Sequence, residues 1–285
     1  MNDLQAPTCS TRIRAIYQQL SKKEKAVADL ILNHPEKIIH STISEIASEL
    51  KIADATVFRF CKRLGFKGYQ AVKIALATEP TSPLPDIHEE ISENDDEGAI
   101  IKKVFKSNIR TLEDTAQMLD TSQFKEATKA LISARKIDFY GSGGSGAIAL
   151  DAHHKFLRTG LLSSCYNDSH LQMMSAAQLT SEDVVICISH SGTSKDIIEV
   201  LKVAKLKGVK TIGITHFADT PLSQLADISL LTISEETAFR SEALASRLAQ
   251  LSIIDALYVS VCIKLKGKVK SSLQNLRTAI SVKRV

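Results

Sequence analysis

Two short stretches of this sequence carry the residue types that hold an anion. Tyr140-Gly-Ser-Gly-Gly-Ser-Gly146 closes a predicted strand and opens a predicted helix. Its glycines permit a tight turn and a close backbone approach, Ser142 and Ser145 add hydroxyl donors, and the helix start offers free N–H groups and partial positive charge. Ile188-Ser-His-Ser-Gly-Thr-Ser194 repeats the arrangement after another predicted strand, with Ser189, Ser191, Thr193 and Ser194 around Gly192. A phosphate group needs many short donors and little bulk, which two such loops supply. The first string also satisfies G-x-G-x-x-G, so a dinucleotide site is the rival, with Asp168 as the acid after the second strand. The second loop decides against it, since a nicotinamide site has no use for it. Helix capping accounts for any one of these serines but not for the pair of loops.

His190 lies inside the second loop and is placed to touch a ligand, while His170 and His216 follow strands and stand further out. His153 and His154 fall on the helix after the first loop, where packing or solvation is the ordinary fate of a histidine. No His/Cys/Asp set has metal-ligand spacing, so neither a metal nor a cofactor is expected. The cysteines are Cys9, Cys61, Cys165, Cys187 and Cys262. They are odd in number, scattered and without a C-x-x-C pair, which suits reduced thiols.

A different chemistry is written in Ile43 to Lys62. Two short helices that cross steeply need apolar residues at Ile46, Leu50, Ile52, Val57 and Phe60 and a small residue at Ala47, and all are present. This is helix-turn-helix spacing, with Lys51 at the turn position that usually carries Gly. The second helix, from near Ala53, is the one such a motif lays in the major groove. Asp54, Ala55, Phe58, Arg59, Lys62 and Arg63 face outward. Arg59 is suited to two hydrogen bonds with a guanine edge, and Thr56, Lys62, Arg63 and Lys67 to phosphates. A plain helical hairpin with a solvated basic face is the competing reading.

The elements that position these groups follow from periodicity. Thr81 to Asp86 has two prolines, the acidic run Glu89 to Glu97 follows, and together they read as a linker. Residues 1–80 hold twelve Lys/Arg against eight Asp/Glu, residues 81–99 seven acids and no Lys/Arg, and residues 100–285 twenty-four against seventeen. The excess in the first segment is compatible with nucleic acid. Before the linker everything is helical, and Ser21 with Glu24 forms a capping box. After it, amphipathic helices span 101–119 and 124–132. Strand-length runs follow at 137–140, 161–165, 184–188, 211–215 and 228–232, separated by helices at 147–158, 170–179, 194–207 and 221–225. The fold class expected is therefore an N-terminal all-α helix-turn-helix domain (1–80), a linker (81–100) and a C-terminal α/β domain with a five-stranded parallel sheet (101–285, core about 135–265). An apolar helix from Ala243 to Ile263 is expected to pack on the sheet or to help form a subunit interface. No run of about 18 apolar residues suggests a membrane span, and the first ten residues lack a secretory h-region, so a cytoplasmic location is expected.

Both halves resemble the RpiR/MurR family of transcription regulators, which join a helix-turn-helix domain to a SIS (sugar isomerase) domain, a flavodoxin-like sandwich. The matching residues are Leu20-Ser-Lys-Lys-Glu-Lys-Ala-Val-Ala-Asp-Leu-Ile-Leu32 with Pro35, Ile46-Ala47, and Ala55 to Tyr69. In the second half they are Tyr140 to Ser145, Ile188 to Thr193, and Phe239-Arg-Ser-Glu-Ala-Leu-Ala-Ser-Arg-Leu-Ala-Gln-Leu251. Two independent motif sets stand in the family's order. The resemblance implies a homodimer or homotetramer, double-stranded DNA as partner through a palindromic operator, and a sugar-phosphate effector. It implies that hydroxyls matching Ser145, Ser189, Ser191 and Ser194 hold the phosphate, with Ser142 in addition. One departure is Ala53, where the family places Ser, so Asp54 is expected to take over the cap. The expectation is a regulator without catalytic activity. The alternative is a sugar-phosphate isomerase with an accessory helical domain, with His190, Glu242 or His154 as its acid/base.

Overall fold

The structure, a computed structural model, describes residues 7–78, 91–92, 94–216, 218–234 and 246–283. The chain forms two compact units that divide between Met118 and Leu119. The prolines of the linker, much of its acidic run, and Glu242 lie outside the described residues.

The first unit is helical throughout. Its helices are α1 (Cys9–Ile16), α2 (Lys22–Asn33), α3 (Pro35–His40), α4 (Ile43–Glu49), α5 (Asp54–Arg63), α6 (Tyr69–Thr78) and α7 (Glu97–Met118). The starts are written in the side chains. Ser21 with Glu24 and Thr42 with Glu45 form capping boxes at α2 and α4, and Pro35 opens α3. Ile13, Val27, Ile31, Ile38, Ile46, Val57 and Phe60 close one apolar core. Helix α7 buries polar residues instead. Thr11 on α1 donates to Asp114 (3.3 Å) and Gln117 (3.0 Å), and Arg14 pairs with Asp114 at 3.4 Å.

The second unit runs α8 (Thr121–Ser133), β1 (Lys136–Tyr140), α9 (Gly144–Leu157), β2 (Leu162–Tyr166), α10 (Ser169–Gln178), β3 (Val184–Ile188), α11 (Lys195–Leu206), β4 (Lys210–Thr215), α12 (Pro221–Leu225), β5 (Ile228–Leu231), α13 (Ser246–Lys264) and α14 (Lys266–Ser281). All strand pairs are parallel, in the order β2-β1-β3-β4-β5. Side chains alternate between faces, as a pleated strand requires. Ile137, Phe139, Val184, Ile186, Ile188, Ile212 and Ile214 enter a core with residues of α8, α9 and α13. Tyr140, Val185 and Cys187 enter another with residues of α10, α11 and α12.

Helix α13 is the one helix among the described residues long and apolar enough to cross a membrane by length and composition. In this structure Ile253, Ile254, Leu257 and Val261 instead sit in the sheet core, while Leu248, Val259 and Ile263 remain exposed. Helix α14 is an addition to the elements expected from sequence.

Candidate anion site and nucleic-acid face

Strand order reverses direction at β1: β2 lies on one side of it and β3 on the other. Tyr140 and Cys187 are register partners at the carboxyl ends of β1 and β3. The loops that follow these strands therefore leave the sheet side by side, at the crevice where sheets of this order take their ligands.

Both loops end at helix starts whose hydroxyls are not used for capping. Gly143 is the N-cap of α9 and Ser194 that of α11, and neither helix has a side-chain cap bond. Among the described residues, no partner is seen for the hydroxyls of Ser142, Ser145, Ser189 or Ser194. The Ser191 hydroxyl accepts from the Thr193 N–H (3.3 Å) and hydroxyl (3.0 Å), which shapes the second loop from within.

The loops themselves are braced. Gln172, fully buried on α10, donates to the carbonyls of Gly141 (3.1 Å) and Tyr166 (2.8 Å). The His190 carbonyl accepts from the Thr215 hydroxyl (3.1 Å) and the His216 N–H (3.0 Å). Gly192 has φ +66°, and a Cβ there would run into the hydroxyls of Thr220 and Thr215, so this position needs glycine twice over.

The histidines separate by place. His190 and His216 stack, with centroids 5.1 Å apart and planes 13° from parallel. His216 Nδ1 lies 2.8 Å from the Thr232 carbonyl, an acceptor only, so Nδ1 carries the proton. His153 Nδ1 meets the Ser163 hydroxyl of β2 at 2.9 Å; burial lowers its pKa against the pull of Asp138. His154 is exposed ten residues into α9, about 15 Å along the axis from the helix start. That distance removes it from chemistry at the loops. Burial pushes the Cys187 thiol, at the end of β3, up to about 12, so it is no nucleophile at neutral pH.

In the helical unit, α4 and α5 are the two helices of the expected motif. Ile46, Ala47, Val57 and Phe60 are buried, and Leu50 and Ile52 pack against them half-buried. The turn between the helices repeats a geometry found one helix later. The N–H groups of Lys51 and Ile52 reach back to the carbonyls of Ser48 (3.1 Å) and Ala47 (2.9 Å). Those of Gly65 and Phe66 reach back to Lys62 (3.0 Å) and Cys61 (3.1 Å). Both are Schellman closures, which need a left-handed residue. Gly65 supplies it at φ +85°, but Lys51 takes φ +53°, alone among the described non-glycine residues. A left-handed L-residue costs about 1–2 kcal/mol, offset in part by the greater unfolded-state freedom of glycine. Lys51→Gly is therefore expected to stabilise the helical unit by about 0.5–1 kcal/mol. A thermal melt followed by circular dichroism checks this, and a lower melting temperature would contradict it.

Helix α5 exposes Asp54, Ala55, Phe58, Arg59 and Lys62, with Thr56 half-buried and Lys67 exposed just beyond its end. Asp54 does not cap. The N-cap is Ala53, without a side-chain bond, and Asp54 is the first helical residue, accepting from the Ser44 hydroxyl at 2.5 Å. Arg63 is turned back toward α2, donating to Glu24 at 3.1 and 3.2 Å and to the Gln19 carbonyl at 3.2 Å. Partial burial works against the Glu24 carboxylate, but the Ser21 N–H and hydroxyl and the Arg63 guanidinium hold its pKa below the ordinary value. Arg59, Lys62 and Lys67 are left as the cations of the open face, the Lys62 ammonium 5.9 Å from the Phe58 ring centroid.

A helix-turn-helix unit on one chain with a parallel α/β unit whose β1 and β3 loops carry hydroxyls that cap no helix is the architecture of regulators of the sugar-isomerase-domain class. Residues 8–83 match the helix-turn-helix domain of the rpiR family, and residues 130–260 match the SIS domain. An uncharacterized HTH-type transcriptional regulator of Caldanaerobacter subterraneus subsp. tengcongensis is 36% identical over 273 residues, 96% of this chain and 97% of that one. The Vibrio vulnificus NanR protein, solved in complex with ManNAc-6P, superposes with a TM-score of 0.62 at 26% identity, covering 97% of this chain and 99% of that one. The phosphoheptose isomerase GmhA from Neisseria gonorrhoeae shares the fold of the second unit at 19% identity and a TM-score of 0.51, covering 57% of this chain and 97% of its own. The chain belongs to the RpiR family: it is a transcription regulator with a helix-turn-helix and a SIS domain.

The residues that sequence reasoning missed are Gln172, which braces the first loop, and Arg247, whose guanidinium lies against Gly144. Both sit on helices remote in sequence from the loops they touch, and no spacing rule links them.

Proposed function

We propose that a phosphorylated sugar bound between the β1 and β3 loops sets this regulator's affinity for its operator. The observation that carries the reading is the set of hydroxyls at the crevice, Ser142, Ser145, Ser189 and Ser194, left uncommitted by capping. Thr193 and Ser191 complete the cup, and His190 stands at its side toward the sugar. NanR, similar over nearly the whole chain, is a protein whose structure holds ManNAc-6P, which supports the ligand class. An effector regulates only by binding the DNA-competent and incompetent states unequally.

The protein acts in the cytoplasm as a homodimer or homotetramer on a palindromic operator, with recognition helices in half-sites about 34 Å apart. Asp54, Thr56, Arg59, Lys62 and Lys67 form the DNA-facing set, while Arg63, turned back to Glu24, steadies α5 behind them. Arg59→Ala is expected to weaken specific binding by about 1–3 kcal/mol through loss of a base contact. Lys67→Ala weakens binding to every sequence and flattens its salt dependence. Titration of operator and scrambled duplex at fixed salt checks both, and equal operator affinity for Arg59→Ala and parent removes the base-reading role.

No catalysis is assigned to the crevice. An isomerase needs a general acid/base beside the sugar carbons. Among the described residues only His190 of the expected candidates lies at the loops, and its ring is stacked on His216. The deciding experiment is a thermal-shift screen against sugar phosphates, since a tight ligand raises apparent stability by mass action. An operator titration and an isomerase assay with the best ligand follow. Turnover would overturn the non-catalytic reading, and a ligand that leaves operator affinity unchanged would overturn the regulatory one.

A further inference from the structure

Arg247, on α13, is far along the chain from the first loop, yet its guanidinium lies against Gly144, the first residue of α9. A Cβ built on Gly144 would lie 2.6 Å from Nη2, 3.2 Å from Cζ and 3.3 Å from Nε of Arg247. Gly144 is not in the left-handed region, so glycine is needed here for room and not for conformation. The chain thus makes space for a cation beside its own helix start.

That placement is electrostatically unfavourable as it stands. The start of a helix carries roughly half a positive charge, and α9 is 14 residues long. Its N-cap Gly143 brings no side-chain acceptor. The Arg247 Nε is buried and has no hydrogen-bond partner, and among the described residues no carboxylate pairs with this guanidinium. A buried donor without an acceptor is costly, and a cation at the positive end of a helix adds to the cost. Packing alone gives no reason to keep an arginine there.

One occupant answers the charge, since Arg247 is only half-buried although its Nε is enclosed. We infer that Arg247 is a ligand to the phosphate group in the crevice, so that a phosphate monoester dianion sits between its guanidinium, the α9 start and the loop hydroxyls. The inference rests on the phosphate-cup reading above and adds to it the group that neutralises the charge. Hydroxyls such as Ser145 and Ser189 shape the cup but bring no net charge. A planar guanidinium brings charge and paired donors that match phosphate oxygens. The same contact ties α13 to α9 through the phosphate, which gives the ligand a grip on an element outside the two loops.

The test is calorimetric titration of the full-length parent, Arg247→Gln and Arg247→Lys with inorganic phosphate, ManNAc-6P and unphosphorylated ManNAc, beside thermal melts of each protein without ligand. The parent is expected to bind the phosphate-bearing probes and to ignore the neutral sugar. Arg247→Gln should bind them about 10- to 100-fold more weakly, the range of one charge-assisted hydrogen bond. Arg247→Lys should fall between the two. Without ligand, Arg247→Gln should melt at or above the parent temperature, because an unpaired cation has been removed from a positive helix end. Equal phosphate affinity for parent and Arg247→Gln would overturn the inference and leave the cup reading standing. A lower ligand-free melting temperature with unchanged affinity would assign Arg247 to packing. Failure of the parent to bind either phosphate probe would overturn the cup reading, and this inference with it.

Discussion

Ser189→Ala combined with Ser191→Ala is expected to lower sugar-phosphate affinity by about 100-fold or more. In the proposed cup each hydroxyl donates to a charged oxygen, a contact expected to contribute about 1.5–3 kcal/mol. Both leave the end of β3, the strand beside the first loop in the sheet. Ser189 is nearly buried, so its loss cannot be made good by water entering from bulk. Ser191 also receives the Thr193 N–H and hydroxyl, so its loss loosens the loop as well. Operator affinity without effector should stay at the parent value, because Ser189 and Ser191 belong to the second unit and the recognition helix to the first. The double variant should then be locked in its effector-free response. Calorimetry with a sugar-phosphate panel and an operator titration read out the two halves. Unchanged ligand affinity would remove the phosphate-cup assignment.

Phe60→Ala should abolish operator binding at physiological temperature while sparing the ligand. Phe60 is fully buried in the core shared by α2, α4, α5 and α6. Truncating a buried Phe costs about 3–5 kcal/mol through lost transfer energy and the cavity left behind. Typical domain stabilities are about 5–15 kcal/mol, so the loss takes most of the reserve of a small helical unit. The sheet unit has separate cores and should still bind phosphate esters. The chain has no tryptophan, so the head's melting is best followed by circular dichroism. A Phe60→Ala protein that kept both full helicity and operator binding would show that this core does not hold the recognition helix.

Much of the architecture could be read from single residues. Val184–Ile188 and Pro221–Leu225 fall where the apolar run and the proline place them. The Ser21 capping box starts α2 as expected, and His34 with Pro35 ends it. The failures have physical causes. Helix α9 begins at Gly144 and not at Ala147, because glycine and serine disfavour helix on their own and the strand-to-loop turn imposes it. Asp54 has the side chain of a cap, but the turn through Lys51 sets the N-cap one residue earlier, at Ala53, and makes Asp54 the first helical residue. Helix α14 was legible and missed: Val269, Leu273, Leu276 and Ile280 keep helical spacing through a lysine-rich stretch. The Arg63–Glu24 pair spans 39 residues and Arg247 meets a loop about a hundred residues away, and neither contact has any local pattern to announce it. The loop hydroxyls were visible as types and spacing, whereas their freedom from capping could be seen only in three dimensions.

The packing of α13 has a consequence for how this protein is made. The head closes its core with residues between Cys9 and Leu76, all of which leave the ribosome early. The sheet cannot close its own core until Ile253, Ile254, Leu257 and Val261 arrive, near the end of the chain. At about 5–20 residues per second, the interval between the two is on the order of ten seconds. For that time the nascent chain carries a complete DNA-reading head followed by strands with one apolar face uncovered. This is the period in which it is most exposed to aggregation, and in which a chaperone that holds apolar surface would decide the yield of intact regulator.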